Sequence, residues 1–248
     1  GLSGHTIPVF LLDTALPDNT PWDQTLTDHL YAGDDRYRLA QEVVLGMGGV
    51  AMLQALGYEG RYYHMNEGHS AFLIFELMKQ GKSLEEIVDK CVFTTHTPVE
   101  AGLEKFNYAD IGDILRELVP ANIKKLAGDD QLNMTLLALN CSGYANAVSK
   151  KHRDIADEMF GKKFKIDYVT NGVHSETWAS ESFRQLYDAR CKGWRGNAEL
   201  LKNAKRHHSR AGKKYGNASR SPKEHSCASR CPPRIWGVHW RRWCLWHR

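Results

Sequence analysis

Along the first 180 residues, short apolar runs that close on polar turns alternate with stretches whose apolar positions recur at three and four. Ile7-Pro8-Val9-Phe10-Leu11-Leu12 closes on Asp13-Thr14 and reads as a strand. A Pro- and Asp-rich loop follows from Leu16 to Pro21. Asp34 stands where it caps a helix running from Asp35 to about Leu56, with Leu39, Val43, Met47, Val50 and Leu53 on its apolar face. Gly46, Gly48 and Gly49 fall inside that helix. An interior glycine costs roughly 1 kcal/mol relative to alanine. Three of them imply another backbone packed very close, or a bend. A phosphate-cradling loop is the alternative, but no strand leads into these glycines.

Tyr63-His64-Met65 ends a second strand at the turn Asn66-Glu67-Gly68-His69, and a helix follows to about Gln80. Ser83 caps the next helix, with Glu86 completing a capping box. Cys91–Thr95 is a strand that closes on His96-Thr97-Pro98, where proline stops pairing. Ala109 to Lys125 has a helical pattern with weak boundaries, and Leu132 opens another helix. Tyr144–Ser149 is a strand of small residues, Lys150–Phe160 a polar helix, and Ile166–Thr170 a strand ending in Asn171-Gly172-Val173-His174. This alternation predicts an α/β fold: a Rossmann-like parallel sheet with helices on both faces.

In such a sheet ligands bind beyond the carboxyl ends of the strands, and three of the strands end in polar turns. Singly, each turn has a plain structural reading. Glu67 serves as a helix cap, His96 bonds a neighbouring carbonyl, and Asn171-Gly172 is a common turn dipeptide. Together they line one rim with Asn, Glu, His and Thr, which suits a ligand rich in hydroxyls. Few Lys or Arg lie there to hold a polyanion.

Composition changes the picture mainly at the end of the chain. The 248 residues, 42% of them hydrophobic, suffice for one large domain or two small ones. No apolar run reaches membrane-spanning length, so no transmembrane helix is expected. The first residues carry no basic region and no initiator Met, and are not read as a signal peptide. Residues 205–248 hold 12 Lys/Arg and one acid, Glu224, leaving 21 Lys/Arg against 28 Asp/Glu in the first 204 residues. The same tail holds three of six Cys and four of seven Trp. His225, Cys227, Cys231, His239, Cys244 and His247 offer a zinc reading, and the basic aromatic mixture a nucleic-acid one. The preferred reading is translation out of frame, which leaves no metal and no nucleic-acid partner. The rest reads as an acidic cytoplasmic domain whose Cys91, Cys141 and Cys191 are buried free thiols.

Seven stretches occur in order: Val9-Phe10-Leu11-Leu12-Asp13-Thr14, Leu30-Tyr31-Ala32-Gly33-Asp34, Ala40-Gln41-Glu42-Val43-Val44-Leu45-Gly46, Tyr63-His64-Met65-Asn66-Glu67-Gly68-His69, Phe93-Thr94-Thr95-His96-Thr97-Pro98-Val99, Leu132-Asn133-Met134-Thr135 and Thr170-Asn171-Gly172-Val173-His174. This ordered set resembles the α-glucan (glycogen, starch, maltodextrin) phosphorylases, especially the short bacterial and archaeal type, over about residues 7–180. The resemblance implies part of one half of a GT-B architecture, two Rossmann-like domains facing across a cleft. It divides the chain into residues 1–190, a partial N-terminal glucan-binding domain; 191–204, the start of the interdomain connection; and 205–248, a disordered basic tail. It implies phosphorolysis of α-1,4-glucan by inorganic phosphate to α-glucose 1-phosphate, and dimers in the full-length proteins. It implies pyridoxal 5′-phosphate on a lysine of the second domain, which is not recognisable in this chain. His96 resembles the histidine near the glucosyl 6-hydroxyl, with Thr97 beside it, and Asn171 the asparagine at the same hydroxyl. Glu67 and His69 resemble the acidic residue and histidine at the acceptor side, although the long animal and plant enzymes carry Asp where Glu67 stands. No catalytic residue and no membrane partner are implied. The alternatives are a fragment of a glycogen or starch synthase-like glycosyltransferase, or a non-catalytic carbohydrate-binding remnant.

Overall fold

The structure, a computed structural model, describes residues 6–30 and 33–207. Of the basic tail, everything from residue 208 on, which carries all the residues of its zinc reading, lies outside the described residues. In chain order the helices are α1 (Pro21–Gln24), α2 (Asp35–Val43), α3 (Gly49–Ala55), α4 (Leu73–Lys79), α5 (Leu84–Lys90), α6 (Tyr108–Leu115), α7 (Ile123–Ala127), α8 (Met134–Asn140), α9 (Lys150–Met159), α10 (Ser175–Trp178) and α11 (Glu181–Arg190). The strands are β1 (Tyr63–Asn66), β2 (Cys91–Thr95), β3 (Lys105–Asn107), β4 (Gln131–Asn133), β5 (Tyr144–Ala147) and β6 (Ile166–Tyr168). The chain divides into two compact units, one up to Asn171 and one from Gly172 onward.

The first unit is built on a four-stranded sheet in the order β1-β2-β5-β6, with every pairing parallel. Parallel pairing puts the turns after β1, β2 and β6 on one edge, as the βα pattern predicts. The core gathers Met65 and Phe93 of the sheet with α4 and α8. Leu73, Ile74, Phe75 and Leu77 are all buried, and Phe72 meets Phe75 edge-on at 5.1 Å. Each such side chain contributes about 1.5–3 kcal/mol on burial. The capping box forms as read: Glu86 N–H bonds Ser83 Oγ at 3.2 Å and Ser83 N–H bonds Glu86 Oε2 at 2.7 Å.

The glycine-bearing helix is one continuous run, with a π-helical turn at Val44–Gly48 joining α2 to α3. The close backbone neighbour is found at Gly46 alone. A Cβ there would stand 2.7 Å from Leu73 N and 2.8 Å from the Phe72 carbonyl carbon, whereas at Gly49 it would meet nothing within 4 Å.

Three expectations are corrected. Residues 7–14 form no strand: the segment has no regular structure and Leu11 is 88% exposed. An apolar run becomes a strand only where another strand pairs with it, and this one has no ladder. The pattern over Ala109–Lys125 breaks into α6, a 3₁₀ turn at Arg116–Leu118 and α7. Leu132 belongs to β4, which pairs antiparallel with β3 in a small second sheet, and α8 starts two residues later. In the second unit Trp194 is buried, and its indole N–H donates to Asp188 at 2.9 Å. Among the described residues no helix is long and apolar enough to cross a membrane.

Candidate functional site

Glu67 follows β1 with φ 68° and ψ 175°. That backbone region is populated almost only by glycine and costs a side chain of order 1–3 kcal/mol. Three bonds hold Glu67 there. Its N–H donates to the Thr94 carbonyl at 2.8 Å, extending the β1–β2 ladder by one step. Its carboxylate Oε2 accepts the His96 main-chain N–H at 2.6 Å and the Thr97 hydroxyl at 2.9 Å. The turns after β1 and β2 are therefore tied by one buried side chain, and the tie fixes the main chain that carries His96. Directly behind, a Cβ on Gly68 would press against Met134 Cβ at 3.0 Å, so the turn lies tight on the start of α8.

His69, two residues on, meets a cluster of charges that sequence reading missed. Arg38 and Glu42 stand one turn apart on α2, and Glu104 comes from the loop before β3. His69 Nδ1 lies 2.5 Å from Glu104 Oε2, and Arg38 Nε donates to Glu104 Oε1 at 2.8 Å. Arg38 Nη2 is 3.1 Å from Glu42 Oε1 and 3.1 Å from His69 Nδ1. With the Nδ1 proton committed to Glu104, that last approach brings two donors together, held by carboxylates on either side. Burial alone favours neutral imidazole, but the bonds and charges of Glu104 and Glu42 outweigh it and raise His69 to about 9. Burial also opposes the Glu104 carboxylate; the bond from His69 and the charges of His69 and Arg38 still hold it well below the usual carboxylate range. Glu42 goes the other way: burial pushes it up to about 8. Glu42, His69 and Glu104 bring ligand-type atoms within 4.8 Å of one another, but the guanidinium stands among them and supplies the positive charge. The one sequence cue was Arg38 and Glu42 at a spacing of four on a helix.

Between the two clusters lies a small cavity of about 20 Å³, lined by Glu67, His69, Thr97, Glu104 and Thr135. A space of that size takes about one water or one ligand hydroxyl. A larger groove of about 300 Å³ runs past Tyr58, Tyr63, Lys82 and Lys90. Tyr63 opens β1 and Lys90 precedes β2, so that groove is at the amino edge of the sheet, the wrong edge for a parallel α/β site.

Of the expected site residues, Glu67, His96 and Thr97 touch, and His69 borders the same cavity. Asn171 shares the edge but not the cluster: it follows β6, two strands from β2, or roughly 10 Å across the sheet. Its N–H donates to the Val148 carbonyl at 3.2 Å and the residue is exposed. Within the second unit His174 caps α10: its Nδ1 accepts the Thr177 main-chain N–H at 3.3 Å and lies 2.7 Å from Thr177 Oγ1. A hydrogen-bond row crosses the sheet below the rim. Thr94 Oγ1 donates to Asn146 Oδ1 at 2.9 Å, so His64 Nε2, at 2.7 Å from the same Oγ1, is its donor. The expected thiols at Cys91, Cys141 and Cys191 are free and buried. Burial pushes Cys91 and Cys141 up to about 12, so neither is a nucleophile at neutral pH. The rim can donate and accept hydrogen bonds and orient a polyol.

Comparison with known proteins gives the family. The chain is 37% identical to maltodextrin phosphorylase of Thermococcus litoralis over 216 residues, covering 78% of this chain and 26% of that protein. It is 34% identical to glycogen phosphorylase of Aquifex aeolicus, covering 73% of this chain and 30% of that protein. With glycogen phosphorylase of Mycobacterium tuberculosis the figures are 32%, 73% and 25%. The chain belongs to the glycogen and maltodextrin phosphorylase family. It spans about a quarter to a third of the length of these relatives. No protein-family model matches it. Phosphorylases of this family generally use pyridoxal 5′-phosphate. The described residues do not fit that group: none of the lysines up to Lys202 is buried, and none lines the rim cavity. A lysine that forms a Schiff base needs a desolvated pocket to lose its proton near neutral pH.

Proposed function

We propose that this chain forms the sugar-binding side of an α-1,4-glucan phosphorylase, the cytoplasmic enzyme that transfers a terminal glucosyl unit to inorganic phosphate and gives α-glucose 1-phosphate. The observation that carries the reading is the Glu67 carboxylate, which locks the turns after β1 and β2 together at the carboxyl edge of the sheet. A rim built in this way orients hydroxyls without a nucleophile, which is what glucosyl transfer asks of the sugar half of a cleft. His96 and Asn171 hydrogen-bond the reacting glucosyl unit. Glu67 acts mainly by holding His96 and Thr97, since its carboxylate is spent on them. His69 faces the acceptor side. Residues 1–190 are the partial glucan-binding domain, and residues 191–204 begin the connection to a second domain that supplies pyridoxal 5′-phosphate and the phosphate site. The full-length protein is a homodimer, with neither nucleic acid nor membrane as partner. The chain alone does not turn over, because phosphate, sugar and an acid/base group must meet in a water-excluded cleft.

Saturation-transfer NMR of maltoheptaose with the 248-residue chain is the test. Transfer to glucosyl protons is expected, with loss in His96→Ala at unchanged circular dichroism. Absence of transfer at millimolar glucan rejects the sugar-binding reading. Release of glucose 1-phosphate by the pure chain with phosphate and added pyridoxal 5′-phosphate rejects the half-cleft reading.

A further inference from the structure

Glu42 is the group in the ion cluster that the sugar rim does not explain. Its side chain is 2% exposed, and neither carboxyl oxygen has a hydrogen-bond partner of good geometry. Arg38 and His69 spend their best-placed donors on Glu104, at 2.8 and 2.5 Å, and leave Glu42 behind at 3.1 and 3.5 Å. A bare buried carboxylate with unaligned donors is costly, whereas a carboxylic acid is not and has a proton to give. Glu104 Oε atoms each keep a lone pair after accepting from Arg38 and His69.

We propose that Glu42 is a positioning residue: as the neutral acid it shares one proton with Glu104, and this pair holds His69 and, through it, the turn that carries Glu67. The link to glucan rests on the sugar-binding reading above; the link to the turn does not. Burial raises the Glu42 carboxyl, the neighbouring Glu104 adds to the rise, and His69 and Arg38 oppose it. The groups facing Glu42 are Arg38 on its own helix, His69 on the turn after β1 and Glu104 before β3. Asp110 and Asp113 of α6, which also packs on α2, pair instead with Arg36. When Glu42 loses its proton it becomes a second acceptor for the same two donors. His69 Nδ1–H serves one acceptor well, so the imidazole is drawn off Glu104 and the turn loosens.

The test follows the His69 ring nitrogens and the His96 amide proton by NMR in the 248-residue chain from pH 5 to 10, in the wild type, Glu42→Gln and Glu104→Gln. Glutamine at 42 mimics the neutral acid and cannot titrate. In the wild type the His69 signals move in two steps and the His96 amide, bonded to Glu67, shifts with the first. Glu42→Gln keeps only the second step and a still His96 amide; Glu104→Gln brings the imidazole step down in pH. One step with the same course in wild type and Glu42→Gln overturns the proposal, as does a His96 amide that ignores the first step. Should Glu42→Gln fail to fold, infrared spectra of the wild type decide: the carbonyl band of a protonated carboxylic acid at pH 7 supports the shared proton, and its absence overturns it. Maltoheptaose titrations beside these separate the two readings. A chain that shows both NMR steps yet binds no glucan at any pH leaves the proton pair standing and rejects the sugar-binding function.

Discussion

The main-chain N–H of His96 donates to Glu67 Oε2 at 2.6 Å, across 29 residues of sequence. This bond accepts a strained backbone at Glu67 in exchange for a fixed neighbouring turn.

Replacing Glu67 separates those two effects. Glu67→Ala keeps the unfavourable φ and loses every bond to the carboxylate, from the His96 and Gly68 main-chain N–H groups and the Thr97 hydroxyl. Glu67→Gly loses the bonds but adopts the backbone freely. The glycine variant should therefore be the more stable of the two by about 1–2 kcal/mol, against the usual order. Urea unfolding with equal slopes measures it. An alanine variant as stable as the glycine one removes the strain.

The ion cluster makes stability depend on pH. His69 rises from 6.5 to about 9, so its contribution is full below 6.5 and is lost as pH climbs through 9. Glu42 rises from 4.5 to about 8, so the folded state is favoured below 4.5 and loses that advantage as pH climbs through 8. Glu104 is lowered, so its contribution holds above 4.5 and fades as pH falls below it. Melting temperature should peak near pH 4.5–5 and fall most steeply between about 6.5 and 8, where both losses overlap. Differential scanning fluorimetry across that range checks it, and a profile flat from pH 5 to 9 contradicts the cluster.

The row beneath the rim predicts a sharp contrast between isosteres. Thr94→Val removes the donor to buried Asn146 Oδ1 and the acceptor of His64. A loss of about 1–3 kcal/mol is expected for Thr94→Val, and most of the stability is retained in Thr94→Ser, which keeps the hydroxyl. Equal losses in the two variants, measured by chemical unfolding, mean that the hydroxyl does not matter.

Two glycines three residues apart should respond with opposite sign. Gly49→Ala adds a methyl in open space on a helical backbone and should stabilise by roughly 0.5–1 kcal/mol. Gly46→Ala drives a methyl into the backbone of residues 72 and 73 and should cost about 1–3 kcal/mol. Thermal unfolding of both variants decides it.

Much of this was legible in the sequence because it is local. The capping box at Ser83 and Glu86, the strands Tyr63–Asn66 and Cys91–Thr95, and their polar turns all rest on neighbours a few residues apart. Ile7–Thr14 misled because its apolar run carries no information about a pairing partner. The antiparallel β3–β4 pair escaped because three residues are too few for alternation to show. The ion cluster escaped for the opposite reason: Arg38 and Glu104 meet across 66 residues, and only the fold brings them together.

Gly46 lies four residues beyond Glu42, about one helical turn and 6 Å along the axis. Its missing side chain lets the helix rest directly on the main chain of Phe72 and Leu73, which begins just after the His69 turn. The gap between Glu42 and His69 is thus gauged by the single hydrogen atom that Gly46 carries in place of a side chain. Any thicker spacer at that point would widen the seat of every charge above it, so the tolerance of the rim is set by the thinnest part of its foundation.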